Sequence, residues 1–195
     1  MRGRLQVEDR CIFCGEKANT REHVVPRCFL DKPYPKDLPT LPSCHVCNNS
    51  FSEDEQYLMY LIDFLKSVEE NQGESIRAKV EKTYRHSSSL EDRMFESIKI
   101  DEDESVFFAI ETNRVVRVLV KIAHCLMVYR YCRDFNMDAF STMYRFMPQL
   151  SESDQQRVKN EFSVQFQTGR FAYKIYSEHE VAMLFSEFLV VHVTI

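Results

Sequence analysis

Two Cys-x-x-C pairs, Cys11/Cys14 and Cys44/Cys47, separated by 29 residues, constrain this chain more than any other feature. Thiolates two residues apart at a tight turn can take two vertices of a tetrahedron, and a distant second pair supplies the other two. The spacing predicts a Zn²⁺ site at Cys11, Cys14, Cys44 and Cys47. Four sulfurs leave no open coordination position, so this zinc is expected to be structural. It would staple a small unit whose own apolar surface is too limited to hold it together. His45, inside the second pair, and Cys28 are further donors that four thiols make unnecessary. The opposing reading is that the pairs are ordinary buried or redox thiols.

The compartment follows from the same residues. Seven cysteines is an odd number, and "MRGRLQVEDRC" lacks the apolar core of a secretory leader. Both favour a reducing, cytoplasmic setting with metal ligation over disulfides. No segment approaches the roughly 18 uninterrupted apolar residues of a membrane helix. At 195 residues the chain suits one ordinary domain or two small ones, and 15 Phe and 9 Tyr can fill a core. The net charge of −5 argues against a surface that binds nucleic acid all over. Residues 1–40 hold eight Lys/Arg against six Asp/Glu, the remainder 17 against 24. Polyanion contact is therefore expected in the N-terminal third, with the acidic remainder facing another protein.

Four of the six prolines fall between Pro33 and Pro42, which forbids a helix and reads as an extended loop. "TREHVVP" suits a short strand ending at a turn. Ser52 and Glu55 have the spacing of a capping box, and Leu58, Leu61, Ile62 and Leu65 then form an amphipathic stripe ending near Gly73. A further helix is expected over 74–86 and a short strand at "SVFFAIE". A long helix follows from "TNRVVRVLVKIAHCLMVYRYC", with Val115, Val118, Leu119, Ile122, Leu126 and Tyr129 on one face. Cys125 and Cys132 are read as core residues of this helix, and His124 as a packed one. Arg114, Arg117 and Lys121 on the same helix could meet a phosphate backbone or simply face solvent. The C-terminal alternation Phe171-Tyr173-Ile175, after a Thr168-Gly169 turn, indicates two or three antiparallel strands.

A structural zinc module has no use for the acid–histidine pair Glu22-His23 between its knuckles. A metal-dependent nuclease does. It needs a neutral imidazole to deprotonate water, a hard-oxygen anchor for Mg²⁺ or Mn²⁺, and a second oxygen ligand from a nearby helix start. His23, Glu22 and Asn48 fit those descriptions, and Asn48 directly follows Cys47. Adjacent residues of a regular strand point to opposite faces, so a shared site requires irregular backbone or help from a main-chain group. Asp54 or Glu55 is a further possible metal or water ligand, beside the capping role.

The series "CIFC…REHVVP…CHVCNNSFSEDE" resembles the HNH endonucleases, whose ββα-metal unit carries a Cys pair, an acid–His–Val/Ile–x–Pro run and a second Cys pair followed by His or Asn. The resemblance covers about residues 8–66. It implies that His23 is the general base and that Glu22 and Asn48 hold one catalytic divalent ion, which stabilises the leaving 3′ oxygen during cleavage of DNA. The family's middle Asn has no match at the usual spacing, Asp37 being nearest in type, and Ser50 and Phe51 stand where a Lys often follows. On this reading the fold is α+β. Residues 1–70 form a zinc-stapled nuclease unit, and residues 71–195 form a helical and antiparallel-strand region that dimerises, binds a partner or positions DNA. The resemblance further implies bacterial defence beside a protein partner such as an ATPase subunit. The alternative is a non-catalytic zinc module that binds nucleic acid or protein through the same knuckles.

Overall fold

The first knuckle folds on its own backbone. In the structure, a computed structural model that describes residues 9–69, 92, 96–100, 106–162 and 164–195, Cys11 N–H donates to Glu16 O at 2.7 Å. Gly15 N–H donates back to Cys11 O at 2.9 Å. Gly15 closes this turn at φ +74°, where a Cβ would be strained. Two short strands follow, β1 (Thr20–His23) and β2 (Thr40–Ser43), paired antiparallel with Glu22 opposite Leu41 and His23 opposite Thr40. Ile12 N–H donates to Pro42 O and Asn19 N–H to Ser43 O, so the knuckle is sewn to the hairpin.

Helix α1 (His45–Ser50) starts inside the second knuckle. Cys44 is its N-cap, and its Sγ accepts from Cys47 N–H at 3.4 Å. Helix α2 (Ser52–Glu69) follows at once and buries seven consecutive residues, Tyr57 to Asp63. The capping box does not form. Ser52 Oγ donates to Asn49 O, and Glu55 is ion-paired elsewhere. Gly73 and the helix expected over 74–86 lie outside the described residues.

After a hairpin of β3 (Ile98–Ile100) and β4 (Val106–Phe108), helix α3 (Thr112–Tyr131) runs through the centre. Val115, Val118, Leu119, Ile122 and Leu126 of its stripe are buried, but Tyr129 is exposed. Cys125 is buried. Cys132 is not: it caps the helix in a left-handed conformation, and its thiol is exposed.

The chain closes in a five-stranded antiparallel sheet ordered β5-β9-β8-β7-β6. The strands are β5 (Ser141–Phe146), β6 (Val164–Gln167), β7 (Phe171–Ser177), β8 (Glu180–Phe185) and β9 (Leu189–Thr194). Alternation sorts β8 and β9 between two layers. Val181, Met183, Phe185, Leu189, Val191 and Val193 join the main core, while Ala182, Leu184 and Val190 meet Phe162 under helix α4 (Glu152–Glu161). No helix among the described residues is long and apolar enough to cross a membrane.

The hairpin and the sheet are joined directly. Asp31 N–H donates to Gln167 Oε1 at 2.7 Å, Gln167 Nε2 returns a bond to Asp31 O at 3.1 Å, and Arg170 is ion-paired with Asp31. Val24, Val25, Leu30 and Leu41 belong to the same buried cluster as α2, α3 and the sheet. Buried residues on either side of residue 70 thus share one core.

Candidate metal centre and the charges beside it

The four sulfurs of Cys11, Cys14, Cys44 and Cys47 all lie within 4.8 Å of one another, and Cys14 and Cys44 are 3.8 Å apart. A tetrahedral site with Zn–S near 2.3 Å places its sulfurs about 3.8 Å apart, so the set fits zinc. The electrostatics favour one early thiolate. Burial pushes the Cys11 thiol up, but backbone amides of Cys44, Phe13 and Cys14 outweigh it and bring it to about 6. Burial and the neighbouring sulfurs push Cys47 the other way. The spare donors stand aside. His45 is exposed with its ring against Asn49, and Cys28 Sγ donates to Glu55 O.

Asn48 is positioned by the second knuckle. Its N–H donates to Cys44 O at 3.0 Å, and its side-chain Nδ2 reaches Thr20 Oγ1 at 3.3 Å and Arg21 O at 3.2 Å. Both side-chain bonds use the amide nitrogen, which leaves Oδ1 as the donor atom for a cation. Helix α1 is thereby tied to the strand that carries Glu22 and His23.

Those two residues leave β1 on opposite sides. The ladder is regular, so Thr20 and Glu22 share one face while Arg21, His23 and Thr40 share the other. Arg21 confirms the second face by bonding Thr40 Oγ1 at 2.7 Å. Asn48, bonded to Thr20, is grouped with the Glu22 face. His23 is half-buried at the last position of the strand. Burial lowers its pKa, and the cations Arg27 and Lys121 lower it further, which keeps the ring neutral.

Glu22 is buried against a cation that sequence reading assigned to phosphate or solvent. Lys121, on α3, is fully buried, with Nζ 2.9 Å from Glu22 Oε1 and 2.5 Å from Glu55 Oε1. Burial opposes the Lys121 charge, yet Glu55 and Glu22 outweigh it and hold the ammonium protonated. Burial raises Glu55, with Lys121 pulling it back down. One signal was present in the sequence: Lys121 falls at i+3 from Val118 and i−4 from Cys125, on the apolar stripe and not opposite it.

The other two basic positions of α3 are also spoken for. Arg114 and Arg117 reach Asp54 at 3.0 and 2.5 Å, and Arg117 lies over the Phe51 ring. Lys121 is buried and Arg117 keeps exposed surface, so the row Arg114, Arg117, Lys121 is only partly solvated, and each member is already paired. It meets the acids Asp54, Glu55 and Glu22, so Asp54 and Glu55 serve α3. Set against family models, curated proteins and solved structures, the chain matches none.

Proposed function

We propose that the chain is a metal-dependent endonuclease of the HNH type that hydrolyses phosphodiester bonds in DNA. The observation that carries the reading is the pair of bonds from Asn48 Nδ2 to Thr20 Oγ1 and Arg21 O. It couples the thiol-clamped helix to the Glu22-His23 strand, the juxtaposition that a ββα-metal site needs. Glu22 and the side-chain oxygen of Asn48 would hold Mg²⁺ or Mn²⁺, which when bound supplies Lewis-acid neutralisation of phosphate charge.

The remaining roles belong to the chain. His23 takes the proton of the attacking water through a neutral ring nitrogen. It is the last residue of β1, and the chain bends at Val24-Val25, so a backbone laid across the strand end would reach both faces. Arg10, Lys17, Arg21 and Arg27 are exposed around the hairpin and would hold flanking phosphates, fixing position without reading sequence. An assisting protein partner would meet the acidic remainder of the chain.

The test combines supercoiled plasmid, the zinc-loaded protein and Mg²⁺ or Mn²⁺. Wild type is expected to nick or linearise the plasmid. His23→Ala is expected to lose more than about 100-fold in rate, the scale of a general base, while retaining one zinc per chain. Plasmid left intact by wild type with both ions would overturn the reading. The closed Glu22–Lys121 pair favours a second one, a zinc module that binds nucleic acid or protein without cutting. That reading expects His23→Ala to bind DNA as wild type does, with no exchangeable second ion.

A further inference from the structure

Helix α3 delivers a buried ammonium into the candidate site. Lys121 has no exposed surface, its Nζ bridges Glu22 and Glu55, and the Phe51 ring lies 5.6 Å from it. Two carboxylates share one ammonium, so this group of three carries one negative charge in excess. Asp54 does not draw on the same cation, because Arg114 and Arg117 serve it. A divalent ion approaching Glu22 meets an oxygen that already holds a positive charge. Glu55, the shorter contact, draws that charge away from Glu22.

We propose that Lys121 is a positioning residue that acts as the resident cation of this site: it holds the Glu22 carboxylate in place and sets how tightly a divalent ion binds there, with Glu55 as the counterweight. The proposal rests on Glu22 being an ion ligand. It makes α3 part of the site, so the C-terminal region tunes the N-terminal one through a charge and needs no contact with substrate.

Two substitutions push the balance in opposite directions. Lys121→Met keeps the volume, removes the ammonium and leaves two carboxylates for an incoming ion. Mn²⁺ binding should tighten by at least about tenfold, a modest fraction of what a unit charge a few ångströms away can supply. Glu55→Gln leaves the ammonium to Glu22 alone, and Mn²⁺ binding should weaken by about as much. Both are measured on the zinc-loaded full chain by Mn²⁺ titration with electron paramagnetic resonance and by the thermal shift Mn²⁺ produces. A merely structural Lys121 predicts no such opposition. Unmoved affinities, shifts of the same sign, or no Mn²⁺ binding in any of the three proteins would overturn the proposal. Should Lys121→Met fail to fold, Glu55→Gln decides, and wild-type affinity there overturns it. The readout uses no DNA. Opposed shifts with intact plasmid uphold Lys121 and remove the nuclease, whereas cleavage with unmoved affinities does the reverse.

Discussion

Lys121 and His124 lie about one turn apart on α3 and are both buried, yet burial has opposite outcomes for them. Lys121 keeps its charge because two carboxylates surround it. His124 has a buried Nδ1 without a hydrogen-bond partner among the described residues, and its ring packs between Phe13 and Phe140. Burial pushes its pKa down to about 4, with Asp134 and the Phe135 backbone pulling the other way. In the unfolded chain a histidine titrates near 6.5, so between those values the unfolded state binds more protons. The stabilisation from a neutral His124 is thus complete above about pH 6.5 and is lost as pH falls toward 4, at up to about 1.4 kcal/mol per pH unit. Urea denaturation at pH 7 and pH 5 checks this. Wild type should lose roughly 1–2 kcal/mol more than His124→Phe over that interval. Acid effects on the thiols act on both proteins, so equal losses would dismiss the His124 account.

Between elements, α2 and α3 are fastened by the Asp54, Arg114 and Arg117 group and by the Lys121 bridge. Asp54 is mostly buried and holds two guanidinium groups, so Asp54→Asn should cost about 1–3 kcal/mol in urea denaturation. Arg157→Ala breaks an exposed pair with Asp154 and should cost under about 0.5 kcal/mol. Equal costs would mean that the strap is incidental. The two helices were legible in sequence because Leu58, Leu61, Ile62 and Val115, Val118, Leu119, Ile122 repeat at helical spacing. Periodicity names a face, however, and says nothing about what meets it. That is why Arg114, Arg117 and Lys121, whose spacing suits a phosphate backbone or solvent alike, are instead paired with acids. The same limit applies to the sheet. Phe171-Tyr173-Ile175 alternates visibly, whereas β8 and β9 are apolar on both sides and lack the period-2 signal, so two or three strands were expected where four follow Phe162. The four thiols were the most legible feature, since a metal site needs only residue type and spacing. The apolar stripe marks Lys121 as inward-facing, but its partners Glu22 and Glu55 depend on a long-range packing that no local pattern records.

For the whole molecule, the continuous core makes a firm expectation about cooperativity. The hairpin residues Val24, Val25 and Leu30 are buried in the same cluster as α3 and the sheet, and the Asp31–Gln167 clasp adds polar fixings. Thermal unfolding should show one transition in which zinc release, helix signal and sheet signal coincide. Separate midpoints for zinc release and sheet loss would show two independent units instead. The clasp joins residues 136 positions apart, so it forms only when most of the chain exists. During translation the knuckles leave the ribosome before the five-stranded sheet does, so the apolar side of the hairpin waits for strands made later. An interrupted nascent chain would therefore present a sticky, half-built surface to chaperones and proteases. The cell would clear such a stub before it could persist as a partly folded fragment.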